Sequence, residues 1–231
     1  MNVRELAEKN ESYIIERRRY YHTCPELSGQ EVETAKSIKA DLEAMGVEVS
    51  MCTTCNGVVG TIRGGKPGKT VALRADIDAL SVVEETGLPF ASKNEGAMHA
   101  CGHDNHIAML LGGAKILTEV KDQLHGTVKL LFQPAEEIAT GAKQMIAEGV
   151  LEGVDAIYGA HIWGDFDAPL VDVSAGNRMA CCDGFTIEVE GVSTHGSSPQ
   201  LGTDALVAAA AIVQDLQAYV SRNNNPLNPC V

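Results

Sequence analysis

Cys101, His103, Asp104 and His106 stand directly ahead of an apolar run in the segment MHACGHDNHIAMLLGGAKIL, residues 98–117. With His99 included, three of the chain's seven histidines fall within eight residues. A thiol, imidazoles and a carboxylate are the ligand types of zinc or a similar divalent metal. Gly102 lets the chain bend tightly, so the side chains of Cys101 and His103 could face one ion. The adjacent acids Glu136 and Glu137, in LLFQPAEE, fit a division of labour. One carboxylate would hold metal while its neighbour takes a proton from a metal-activated water. His161, closing the run AIYGAH, adds a further imidazole.

Each feature alone has an ordinary explanation. A single cysteine is most often a small buried hydrophobe. A single histidine is usually a hydrogen-bonded core residue, and paired glutamates often sit in a solvated turn or helix start. Asp104, His99 and His106 could cap the following helix or orient its ligands. Their joint position argues otherwise. Strand-like TVALRA runs into Asp76 and Asp78, TVKLLFQ into Pro134–Glu137, and AIYGA into His161. In open α/β sheets, ligands bind beyond the carboxyl ends of the strands.

The elements that must carry these residues are legible from periodicity. Val3–His22 reads as an amphipathic helix with Leu6, Tyr13, Ile14 and Tyr20 on one face and Arg17–Arg19 as a solvated exit. Glu31–Met45 reads as a second helix stopped by Gly46. Strands are expected at Val58–Ile62 and Thr70–Leu73, joined by a GGKPGK turn, and at Thr127–Phe132. Helices are expected at Ile107–Val120 and Gly141–Glu148, with a short buried strand at Ala156–Ala160. The alternation implies an α/β fold with parallel strands. After Pro169, a half-buried strand at Phe185–Val189 and a helix at Asp204–Val220 read as the opening of a second α+β unit. The expected division is 1–182 and 183–231.

A net charge of −13 argues against nucleic acid or an anionic membrane surface as partner. The longest apolar run, Ala205–Val213, is far shorter than a membrane span. The charged N-terminus lacks a signal-like apolar stretch, and seven cysteines follow no framework spacing, so a cytoplasmic protein with reduced thiols is expected. GGKPGKT precedes a strand and lacks the leading glycine of a phosphate loop, where Arg63 stands. Cys52 and Cys55 make one CxxC without a second pair, and Cys181–Cys182 suggest no role. Neither HExxH nor the HxE…PCxxC pattern of zinc deaminases occurs.

The segments LRADIDAL, MHACGHDNHIAMLLGGAKIL, LLFQPAEE, GAHIW and GVSTHGSSPQLGTDAL together resemble the M20 peptidase family. The match is to its amidohydrolase branch, which hydrolyses N-acyl amino acids, hippurate and auxin conjugates. The resemblance implies a metallopeptidase-like α/β/α catalytic domain with a mixed sheet, and an inserted α+β lid that begins near residue 183. It implies two divalent ions (Zn, Mn, Co or Ni) held by Cys101, His103, Glu137 and His161, with Glu136 as general base. His195, in STHGSSP, matches a lid histidine that in family dimers reaches the partner's active site and steadies the oxyanion. The implied reaction cleaves an N-acyl amino acid, a small-molecule substrate, in a protein that forms a homodimer at full length. Dipeptidases and deacetylases of the same fold are the alternative. Family members are longer, so the resemblance also implies that the chain stops inside the lid. A further ligand histidine would lie beyond it, and a non-catalytic remnant is the corresponding alternative. Ser81 stands where the family usually has proline.

Overall fold

The computed structural model describes residues 2–176, 179–181, 183–228 and 230–231. The chain divides into two compact units, Met1–Leu170 and Val171–Val231. The first contains helices α1 (Val3–Thr23), α2 (Val32–Ala44), α3 (His103–Glu119) and α4 (Gly141–Ala147). Its strands are β1 (Glu48–Met51), β2 (Val58–Arg63), β3 (Lys66–Asp76), β4 (His125–Gln133) and β5 (Ala156–Gly159). They form one mixed sheet in the order β1-β2-β4-β3-β5. β3 runs parallel to both β4 and β5, whereas β2 is antiparallel to β4 and to β1. The α/β expectation is therefore met, with β4 inserted between β2 and β3. Those two strands are consequently not a hairpin, and the GGKPGK stretch is only partly a turn because β3 already begins at Lys66.

Side chains alternate across β4 and so sort themselves into two cores. Leu130 and Phe132 face a large cluster with Tyr21, Ile38, Leu42, Ile107 and Leu111, supplied by α1, α2 and α3. Leu131 faces the other way, toward Val59, Ala72 and Met145 under the short helix α4. Three helices thus cover one face of the sheet and one short helix the other. α1 buries Tyr21 instead of the expected Tyr20, because the Tyr21 hydroxyl reaches Asp41 (3.1 Å) and Ser37 (3.2 Å) on α2. Nor is the arginine run a solvated exit: Arg17 and Arg18 pair with Asp41 and Asp104.

Three further corrections concern strands. β1 was not anticipated, because EVSM is short and has only one clearly apolar position facing inward. β5 occurs where expected but is an exposed sheet edge, with Ile157 48% and Tyr158 63% exposed, because only β3 flanks it. Phe185–Val189 forms no strand: alternation needs a neighbouring strand to satisfy its ladder, and none of the described residues of the second unit supplies one. That unit instead holds the isolated bridge Val192–Thr203 and helix α5 (Ala205–Asn223), where the expected helix lies. The Asp204 side chain caps α5 by accepting from the N–H groups of Leu206 and Val207.

Leu111 is fully buried where α3 meets the sheet. Leu111→Ala is expected to cost about 2–5 kcal/mol by leaving a cavity there. The check is a lower denaturant midpoint with an unchanged slope.

Candidate metal centre

Parallel pairing brings the carboxyl ends of β3, β4 and β5 to one edge, and each end delivers polar side chains there. β3 ends in Asp76 and leads to Asp78. β4 leads through Gln133 to the turn Pro134–Glu137, and β5 leads to His161. The fourth contribution is α3. The apolar periodicity suggested a start at Ile107, but the helix begins at His103, so His103, Asp104 and His106 occupy its first turn. Gly102 precedes it at φ +92°, and a Cβ there would collide with Ile162. No side chain with a Cβ fits that approach without displacing Ile162.

The donor atoms converge. Cys101 Sγ lies 3.5 Å from His161 Nε2. His103 Nε2 lies 3.7 Å from Glu137 Oε1 and 3.9 Å from Glu136 Oε2. The donor atoms of Cys101, His103 and His161 all lie within 4.8 Å of one another, as do those of His103, Glu136 and Glu137. Five residues singled out from the sequence are thus together. The sixth, His195, belongs to the second unit, where its Nδ1 engages the hydroxyl and N–H of Ser197.

The supporting contacts fix which atoms point inward. His103 donates from Nδ1 to the carbonyl oxygen of Asp78 at 2.8 Å, which leaves the Nε2 lone pair facing the acids. His106 donates from Nδ1 to Asp76, and its Nε2 accepts the N–H of Ile162 at 3.0 Å. His106 thereby ties the end of β3, through Nδ1, to the segment that carries His161, through Nε2. Asp78 accepts the N–H of Glu137 (3.0 Å) and the Ser28 hydroxyl (2.7 Å). Asp104 does not cap α3. It is fully buried and accepts from His22 Nδ1 at 2.8 Å while pairing with Arg18. The roles of Asp76 and Asp78 were unassigned from sequence, and those of Glu31 and His22 were missed. Glu31, wholly buried, accepts the N–H of Ala135 at 2.8 Å, where the backbone has φ +49° just before the paired acids. No local pattern announces a contact between residues so far apart in the chain.

The electrostatics suit a cation. His103 Nε2 and Glu137 Oε1 are buried without a hydrogen-bond partner, and they face each other. Burial works to lower the His103 pKa, yet the Asp78 hydrogen bond and the neighbouring acids raise it, so the cluster favours positive charge at this position. Burial, reinforced by Glu137, Glu136 and Asp76, pushes the Cys101 thiol up to about 12. Burial works to raise the Asp76 carboxyl, yet the His106 hydrogen bond and the neighbouring His103 and Arg74 hold it at about 2. Glu136 is raised, chiefly by burial, with Asp76 and Glu137 adding to the effect. The donor set of thiolate, imidazole and carboxylate fits a divalent transition metal.

Residues 72–226 match the family model described as peptidase family M20/M25/M40. The chain belongs to that family. It is 45% identical over 221 residues to the N-acetyl-L-cysteine deacetylase of Bacillus subtilis, covering 96% of this chain and 53% of that protein. It is 42% identical to the N-acyl-L-amino acid amidohydrolase of Geobacillus stearothermophilus, covering 99% of this chain and 62% of that one. The chain thus spans between half and two thirds of these family members. A B. subtilis structure described as a dinuclear metal binding M20 peptidase aligns with TM-score 0.66 and 48% identity, covering 68% of this chain and 45% of its own.

The His22–Asp104 pair gives this family member a pH signature. The hydrogen bond to Asp104 outweighs burial and raises the His22 pKa above its ordinary 6.5. Its stabilisation is fully present below that value and is lost as pH rises through the raised pKa. The melting-temperature gap between the native protein and His22→Gln should be widest near pH 6 and shrink at higher pH. A gap constant across that window would refute the charged pair.

Proposed function

We propose that this chain forms the metal-holding part of an amidohydrolase that cleaves N-acyl amino acids into a carboxylic acid and a free amino acid. The observation that carries the reading is Glu136, a carboxylate of raised pKa set 3.9 Å from His103 Nε2 at the edge of the donor cluster. Cys101, His103, Glu137 and His161 would hold two divalent ions, for which Zn, Mn, Co and Ni all suit the donors. Bound ions of this kind polarise a carbonyl and acidify water. Glu136 would accept the water's proton and later deliver it to the leaving nitrogen. Its raised pKa supports both halves of that task, because a weaker acid takes up a proton more readily near neutrality.

Glu137 differs from its neighbour in ways that favour ligation. Its N–H is tied to Asp78, and one carboxylate oxygen is buried facing His103. Asp78 would orient His103, and His106 would steady the chain at His161, so that each ligand presents one lone pair inward. His195 would donate a hydrogen bond to the developing oxyanion, contributed across the dimer of the full-length protein. The deacetylase and amidohydrolase relatives support the choice of an N-acylated amino acid as substrate.

Elemental analysis of protein purified without chelator should find about two more metal ions per chain than in a variant lacking both His103 and Glu137, as a two-metal site requires. In the full-length protein, chelation should abolish hydrolysis of N-acetyl amino acids, and added Zn or Mn should restore it. Glu136→Ala should lower kcat by about 10²–10⁴-fold while leaving metal content unchanged. Turnover that survives this substitution would remove Glu136 as the base. Turnover that survives chelation would overturn the metal-dependent reading.

A further inference from the structure

The CxxC of Cys52 and Cys55, which the sequence left without a second pair, acquires a third donor in the fold. The two cysteines lie in the loop joining β1 to β2, closed by a hydrogen bond from Cys52 N–H to Gly57 O at 2.8 Å. Both are free thiols and half-buried, resting against the core cluster that contains Met145 and Leu131. Gly57 makes room for this: a Cβ there would stand 2.8 Å from Cys52 Sγ. Glu148, at the end of α4, reaches back over the loop. Its carboxylate accepts the N–H of Thr53 (2.8 Å) and of Thr54 (2.7 Å), together with both threonine hydroxyls. The two sulfurs and a Glu148 oxygen all lie within 4.8 Å of one another. None of these three residues belongs to the centre at the strand ends.

We propose that Cys52, Cys55 and Glu148 form a second cation site, for one thiophilic divalent ion of the zinc or cadmium kind. Two thiolates and a carboxylate supply three of the four positions of a tetrahedral site, and water can complete it. The four donors from Thr53 and Thr54 hold the carboxylate toward the sulfurs, as hydrogen-bonded partners do for ligating acids elsewhere. Binding forms two metal–sulfur bonds and releases both thiol protons to solvent.

The surroundings favour a cation over thiol–disulfide chemistry. Burial, then the neighbouring Cys55 and Glu148, push the Cys52 thiol up to about 12, and no basic group is among the charges acting on it. A reactive dithiol needs the opposite setting, one that stabilises thiolate. What this cluster lacks is positive charge, which a divalent ion brings.

The test is a titration of reduced Cys101→Ser protein with Cd²⁺, followed by ultraviolet thiolate-to-cadmium absorption; the substitution removes the sulfur of the other centre. The band should saturate at one ion per chain. It should vanish in Cys52→Ser and in Cys55→Ser made on that background. Glu148→Gln should weaken binding by at least about 10–100-fold, since losing a ligand's charge costs no less than disturbing the groups that hold a ligand in place. A band that is absent, or that persists in either cysteine variant, overturns the site. X-ray absorption on the Cys101→Ser protein decides the matter independently of how the variants fold. Two sulfur neighbours at one cadmium support the site, and fewer than two overturn it.

Discussion

Two buried atoms, His103 Nε2 and Glu137 Oε1, face each other at the sheet edge, and neither has a hydrogen-bond partner among the described residues. Much of the first unit serves to keep them there. The Asp78 carbonyl fixes the tautomer of His103, and the Asp78 carboxylate holds the backbone of Glu137. One residue at the end of β3 therefore sets both sides of the opposed pair. Around it, burial and a concentration of acids produce a negative potential that favours a cation. The cost of assembling these groups is met by the large apolar cluster that α1, α2 and α3 form on the sheet, not by the site itself.

Residue types were the most legible part of the site. Cys101, His103, Glu136, Glu137 and His161 could be selected because each follows a strand-like run or opens a helix, and strand ends in a parallel sheet share an edge. Where α3 begins was less legible, since two histidines and an acid in a first turn interrupt the apolar pattern that marks a helix. β1 and the non-strand at Phe185–Val189 show the limit of alternation as a signal. A polar four-residue strand forms because β2 offers a partner, while a better alternating run without one stays irregular. His195 entered only through resemblance, because one exposed loop histidine carries no local pattern. Glu31 and His22 were invisible for a different reason, namely that their partners lie far away in the chain.

The two faces of the sheet are unequally built. One carries three helices and most of the buried volume; the other has α4 and a smaller cluster that includes the sulfurs of Cys52 and Cys55. α4 follows directly from the turn bearing Glu136, and Glu148 at its far end grips the β1–β2 loop. Asn56 in that loop donates to Glu31 at 3.1 Å, and Glu31 accepts from Ala135. A closed circuit of hydrogen bonds thus runs from the turn bearing Glu136 through α4 and the loop and back again.

The Glu31–Ala135 bond spans 104 positions of sequence. A contact of such high order forms only after the intervening chain has been threaded into place, because the loop-closure entropy must be met first. During synthesis Glu31 emerges long before Ala135, and until then its carboxylate has only nearer partners, the N–H of Gly29 and the side chain of Asn56. The left-handed kink at Ala135, which no local preference would hold, is then imposed from outside. The histidines of α3 arrive with their helix, whereas the turn that carries Glu136 takes its shape only once two segments 104 positions apart have met.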